Sequence, residues 1–127
     1  MKRFLSVVFC AAVLVGIVGL SGCGQRADEA KPMDEIKAEV EKMDVAKLKS
    51  MAMTYKEAIV AKKGDVDKLM AKIKEIPVTE ALGDEAKALK GELEAVTSSV
   101  KALKDRFDVY YNKLVEKGGD VAGLEIQ

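Results

Sequence analysis

The sequence predicts an all-α protein whose centre is a long antiparallel helical hairpin, coiled-coil-like in its packing. Three observations carry this. Residues 26–117 are rich in Ala, Lys, Glu, Leu, Val and Asp and poor in Gly and Pro, a composition of long helices. Two apolar series keep alternating steps of three and four residues: Val45, Leu48, Ala52, Tyr55, Ile59, Lys62, Val66, Leu69, Ile73, Ile76, then Ala86, Leu89, Leu93, Val96, Val100, Leu103, Phe107, Tyr110, Leu114. Between them stands "PVTEALGD", residues 77–84, where a proline, a glycine and Asp84 as candidate N-cap mark a turn.

The first 22 residues are a different kind of segment. Lys2 and Arg3 make a positive start, Phe4 to Leu20 carry no charge, and small Ser21 and Gly22 lead to Cys23. Positive start, apolar core and small-residue cleavage site are the three parts of an export signal. The run is short of the roughly 20 residues a membrane span needs. Gly16 and Gly19 further weaken its second half as a helix. An ordinary secreted protein and an uncleaved signal anchor are the alternatives on these features alone.

The stretch Leu20-Ser21-Gly22-Cys23 resembles the lipobox of bacterial lipoproteins. The resemblance covers about the first 25 residues. It implies cleavage between Gly22 and Cys23, a diacylglyceryl group on the Cys23 thiol and, in many bacteria, an acyl chain on the new amine. Cys10 does not share the pattern, because bulky Phe9 precedes it. Two or three chains on one cysteine anchor stably where a single chain binds only marginally. Gly24, where an Asp would favour inner-membrane retention, implies the outer membrane facing the periplasm if the organism has one. After cleavage no free thiol would remain for disulfide or thiol chemistry.

Residues 24–32, "GQRADEAKP", lack apolar periodicity and read with Cys23 as a short flexible tether. Pro32 suits a helix start, with Asp34 and Glu35 favourably placed at the positive end of the helix dipole. The helical hairpin is expected over residues 33–117, with its tip near 77–83. Within it, Ile36, Val40 and Met43 form a stripe out of phase with the later seam, and Asp44 marks a break or rotation. The first seam would be about 48 Å long. Folding at the turn places Ile73 near Ala86, Ala52 near Phe107 and Leu48 near Tyr110. The tip then points away from the end carrying Cys23. Gly118-Gly119 closes the second helix, with Lys113 and Lys117 suited to its C-terminus. The tail, residues 118–127, is expected to fold back and cover the early stripe with Val121, Leu124 and Ile126.

A three-helix bundle is the alternative. Residues 45–69 and 100–124 match at ten of 25 positions, including "GDV" followed by Leu at the third position after it. If Gly64-Asp65 ends a helix as Gly119-Asp120 does, the first arm breaks there. The heptad register runs through Gly64 without a slip, which favours the hairpin.

Lys+Arg and Asp+Glu both total 21, so the formal charge is zero and no basic excess exists to neutralise nucleic-acid phosphates. Histidine is absent, which excludes the Ser-His-Asp and Cys-His arrangements and the common zinc sets. The many carboxylates, and Ser98 and Ser99, fall on solvated helix faces, so no catalytic residue and no metal site is assigned. Tyr55 and Tyr110 fall on the seams as core, and Lys62 snorkels or sets register. Met51, Met70, Val109 and Val115 lie off the seams, as does Ala58. The four larger ones form a candidate interaction face for self-association or another helix.

The expectation is a non-enzymatic, lipid-anchored envelope protein acting as a helical spacer or protein-interaction module. It needs no cofactor beyond the covalent lipid on Cys23. Its partners would be the membrane and another envelope protein or a second copy. In plan it is similar to the small helical murein-type lipoproteins. Those end in a lysine joined to peptidoglycan, whereas this chain ends Glu125-Ile126-Gln127, so covalent wall attachment is not expected. The competing expectation is a periplasmic helical binding module for an apolar ligand or lipid.

Overall fold

A computed structural model describes residues 26–127. Among them the chain is all-α, in the order α1 (Met33–Lys42), α2 (Val45–Glu75), a 3₁₀ turn (Val78–Glu80) and α3 (Asp84–Glu116). α2 and α3 form the antiparallel hairpin, and α1 packs against α3. The leader, Gly22 and Cys23 lie outside the described residues.

α1 starts behind Pro32, whose carbonyl accepts from the Ile36 N–H at 3.2 Å. Proline suits this place because the first turn needs no N–H from it. Asp34 and Glu35 stand in that turn, and Lys42 in the last. The i, i+4 pair Ile36 and Val40 is buried. Met43 is then extended, and Asp44 caps α2 by accepting the Lys47 N–H at 2.7 Å. Asp44 is therefore a helix break, and the out-of-phase stripe belongs to a separate short helix.

α2 runs through Gly64 without interruption. The third helix is thus α1, ahead of the hairpin, and not a fragment cut at Gly64. A Cβ at Gly64 would touch nothing within 4 Å, so that glycine answers to no packing demand. α2 stops at Ile76, where Pro77 disfavours the helical conformation of the residue before it. Hydrogen bonds Glu80 N to Pro77 O and Gly83 N to Glu80 O, both 2.8 Å, wind the tip. Gly83 is the N-cap of α3, and a Cβ there would sit 3.0 Å from the Glu80 carbonyl oxygen. Asp84, the expected cap, is instead the first helical residue, where its charge faces the dipole.

α3 closes in a Schellman turn. Gly118 adopts φ +71°, and the Gly118 and Gly119 N–H groups donate to Val115 and Leu114 carbonyls at 2.9 Å. Gly119 answers a second demand, since a Cβ there would lie 2.2 Å from Leu114 Cδ1 and 2.8 Å from Val45 Cγ1. Lys117 does not serve its own helix end as expected. Its Nζ donates to the Met43 carbonyl at 2.6 Å and the Glu41 carbonyl at 3.2 Å, satisfying the exposed end of α1.

The tail folds back, and Leu124 joins the core while Val121 and Ile126 pack on it. Its polar contacts run to α2 and not to the α1 stripe, which is committed to the body of the core. Lys49 reaches the Asp120 carboxylate, Lys56 the Gly123 carbonyl, each at 2.6 Å, and Lys63 the Gln127 main-chain oxygen. These lysines recur every seven residues, about 10 Å apart along α2. Three to four extended tail residues span a similar distance.

The core is uneven. Ile36, Val40, Leu48, Ala52, Tyr55, Ile59, Leu103, Phe107, Tyr110, Leu114 and Leu124 make one buried cluster at the base. Toward the tip only Leu69 and Ala86 are buried apolar residues, while Val66, Ile73, Leu89, Leu93 and Val96 are half-buried.

The two glycines should respond differently to alanine. Gly119→Ala overpacks Leu114 and Val45 and should cost about 1–3 kcal/mol. Gly118→Ala imposes only left-handed backbone strain, about 1 kcal/mol. Urea unfolding should show the larger loss at position 119.

Candidate functional site

The segment expected to be a free leash is bound to the body over residues 27–31. Arg106 on α3 holds the Lys31 carbonyl in a fork, Nε at 3.0 Å and Nη2 at 2.7 Å, while Nη1 donates to the Ala102 carbonyl at 2.7 Å. Arginine suits this role because its donors lie in one rigid plane. Across the groove, the Tyr55 hydroxyl donates to the Asp28 carbonyl at 3.1 Å and accepts the Asp28 N–H at 3.2 Å. The Asp28 carboxylate accepts the Ala30 N–H at 2.8 Å and turns the chain. Lys31 then pairs with Glu39 on α1, Nζ to both carboxylate oxygens at 2.6 Å. That hydrogen bond outweighs the opposing effect of burial and holds the Lys31 amine above the ordinary lysine range. Residues 26–32 thus form a strap from α3 to α2 rather than a tether. Polar composition gave no sign of this, because every partner lies on a distant helix.

Under the strap, Tyr55 and Tyr110 stack with ring centroids 5.3 Å apart. The ring stacked on Tyr110 is that of Tyr55. The two tyrosines differ in polar satisfaction. Tyr55 makes both strap bonds, whereas the fully buried Tyr110 hydroxyl finds no hydrogen-bond partner among the described residues. Burial, then Tyr55, then Glu39 raise the Tyr110 phenol well above its ordinary value. It is a neutral core group.

At the far end of the base, buried Lys113 pairs with Glu41 at 2.7 Å and Glu116 at 3.1 Å. Those hydrogen bonds, Glu41 first, raise its amine above the ordinary range. The charged groups here join elements to one another. Among the described residues no group of three His, Cys, Asp or Glu side chains is placed to hold a metal ion. Among them, too, no helix is long and apolar enough to cross a membrane. The depression beside the tail, lined by Lys56, Val60, Lys63, Gly64, Asp67, Glu125 and Gln127, is open and mostly charged at its rim.

The four-residue interaction face does not assemble. Met51 is only 8% exposed and belongs to the core, because α1, the strap and the tail thicken the base beyond one seam. Val109 packs half-buried on the same cluster, as does Ala58. Met70 (42% exposed) and Val115 (51%) remain in solvent, but Met70 is near the tip and Val115 at the base. Among the described residues the most exposed large apolar side chains lie outside the two seams, Val78 at 94% and Leu82 at 83%, both in the tip. Their signal was present: two aliphatic residues inside a turn bounded by Pro77 and Gly83, where polar residues are the rule.

Two measurements probe this region. Tyr110→Phe removes an unpaired buried hydroxyl and should be neutral or stabilising. Tyr55→Phe removes both strap bonds and should cost about 1–3 kcal/mol, with faster amide exchange at Asp28. The tail should depend on pH through Asp120, whose carboxyl is held below the usual 3.8 by the Lys49 hydrogen bond and then by the Ala122 N–H. A carboxyl lowered in the folded state stabilises above its unfolded value, and that stabilisation is lost as pH falls through the folded value. Ala122 amide protection should therefore persist at the usual carboxylate pKa and fall only in stronger acid. Comparison with protein-family models, with characterised proteins and with solved structures gives no match.

Proposed function

We propose that this chain is a non-enzymatic, lipid-anchored cell-envelope protein whose helical hairpin acts as a spacer or protein-interaction body. The observation that carries the reading is Leu20-Ser21-Gly22-Cys23 behind a charged start and an uncharged apolar run. Lipid on Cys23 supplies the attachment, and Gly24 favours the outer membrane of a diderm cell.

The form of the body supports the reading. Its side-chain hydrogen bonds join strap, helices and tail, as a load-transmitting element requires. Lipid attachment five residues before Asp28 transfers directly to this body through the Tyr55 and Arg106 contacts. A binding partner would be a second envelope protein or a second copy.

Cys23→Ala decides the anchor. The substitution should abolish incorporation of labelled fatty acid and move the protein from the membrane fraction to the soluble fraction. Continued detergent-dependent fractionation of the variant would refute the lipid reading.

A further inference from the structure

The strap determines where a lipid on Cys23 would hold the hairpin, and that place is the middle. Asp28 is pinned to Tyr55 through both its N–H and its carbonyl. Arg26 and Ala27 lie beside Ala58, Lys62 and Leu103. Lys62 is about 26 Å along α2 from Val45 and about 20 Å from Glu75. Leu103 is about 29 Å from Asp84 and about 20 Å from Glu116. With Arg26 placed beside Lys62 and Leu103, the three residues from Arg26 back to Cys23 span at most about 11 Å fully extended. Cys23 therefore reaches neither the base nor the tip. A hairpin standing on its base with its tip away from the bilayer, as the sequence suggests, would need a longer leash than the strap leaves. The bilayer must lie alongside the hairpin.

Held side-on, the molecule can bring an end to the same surface, and the two ends differ. The base carries the Lys113 and Lys117 connections to α1 and the strongest cluster of paired charges. The tip carries Val78, in the 3₁₀ turn, and Leu82, two residues past its end, both largely exposed. We propose, resting on the lipid-anchor reading, that the tip is a second membrane contact. Val78 and Leu82 enter the headgroup region of the bilayer that holds the Cys23 lipid. Burying two aliphatic side chains there removes apolar area from water. Glu75, Glu80, Asp84 and Glu85 surround the tip, with Lys72, Lys74 and Lys87 behind them. That acidic collar fits a zwitterionic surface and is repelled by a strongly anionic one.

The test uses the mature lipidated protein in vesicles of phosphatidylcholine and phosphatidylethanolamine. Val78→Cys, Leu82→Cys and, at the base, Val115→Cys each introduce one thiol for an environment-sensitive fluorophore. Spin-labelled lipid should quench the labels at 78 and 82 severalfold more than the label at 115. Adding Leu82→Asp to the chain labelled at 78 should cut that quenching while the protein still floats with the vesicles. Unquenched tip labels on a floating protein would overturn the tip contact and leave the anchor standing. Strong quenching at 115 alone would overturn it in favour of the base. Unchanged quenching with Leu82→Asp would show that the apolar side chains do not hold the tip. A mature chain without acyl mass on its N-terminal peptide, or one that fails to float, would overturn the anchor reading and this proposal with it.

Discussion

Two paired helices share one seam, and one seam leaves apolar side chains on both flanks in water. That constraint shapes the whole base of this protein. Met51, Met53, Ala58, Val109 and Tyr111 flank the main seams and are buried or half-buried. They are covered because the chain on either side of the hairpin folds back onto it. α1 and the strap come from one end of the sequence, and the tail with Leu124 from the other. The Schellman turn at Gly118-Gly119 makes the second return possible. Its tight approach to Leu114 and Val45 is the packing counterpart of that turn.

The segments that fold back contribute little apolar area, so directional bonds fix their position. Lone ion pairs at such exposure contribute about 0–1 kcal/mol each. The Lys49–Asp120 pair, with Asp120 well exposed, belongs to that class. The stronger contacts are the partly buried ones to main-chain atoms. Arg106 satisfies a carbonyl of the strap, and Tyr55 satisfies both main-chain groups of Asp28. Each answers a main-chain group that would otherwise compete for water near the core. Tyr110, without such a partner, shows the opposite choice: its ring is kept for the stack on Tyr55 and its hydroxyl goes unpaired.

The two long helices and their turn were legible because heptad spacing and Pro77 are local signals. Gly118-Gly119 was legible for the same reason. Asp44 was readable as a break, since a capping side chain acts within three residues of itself. The strap was not readable, because Asp28 and Tyr55 are 27 residues apart and Lys31 and Arg106 are 75 apart. The interaction face failed on a related ground. Exposure at an off-seam position depends on what else covers the helix, and the covering came from segments whose own sequences look like solvated loop. Lys49, Lys56 and Lys63 illustrate the limit well. Their spacing of seven is visible in the sequence, yet on a lysine-rich helix it points to no partner until the tail is placed beside it.

The unevenness along the hairpin has a mechanical consequence. The base is covered by α1, the strap and the tail, while the distal half has a single, mostly half-buried seam and a helical glycine in each arm. Gly64 and Gly91 touch no side chain that a Cβ would meet, so neither is required by packing. Each weakens its helix by about 1 kcal/mol relative to alanine. Local opening is cheapest where buried contacts are few and main-chain hydrogen bonds face solvent. Both conditions meet in the distal half. A body attached through its middle would then combine a stiff base, able to transmit force from the strap, with a compliant arm. Compliance there lets the exposed Val78 and Leu82 seek a surface without disturbing the Tyr55–Tyr110 stack that the strap grips. An arm as thickly covered as the base would lose that freedom, since every bend would have to break the contacts of the covering segments as well as those of the seam.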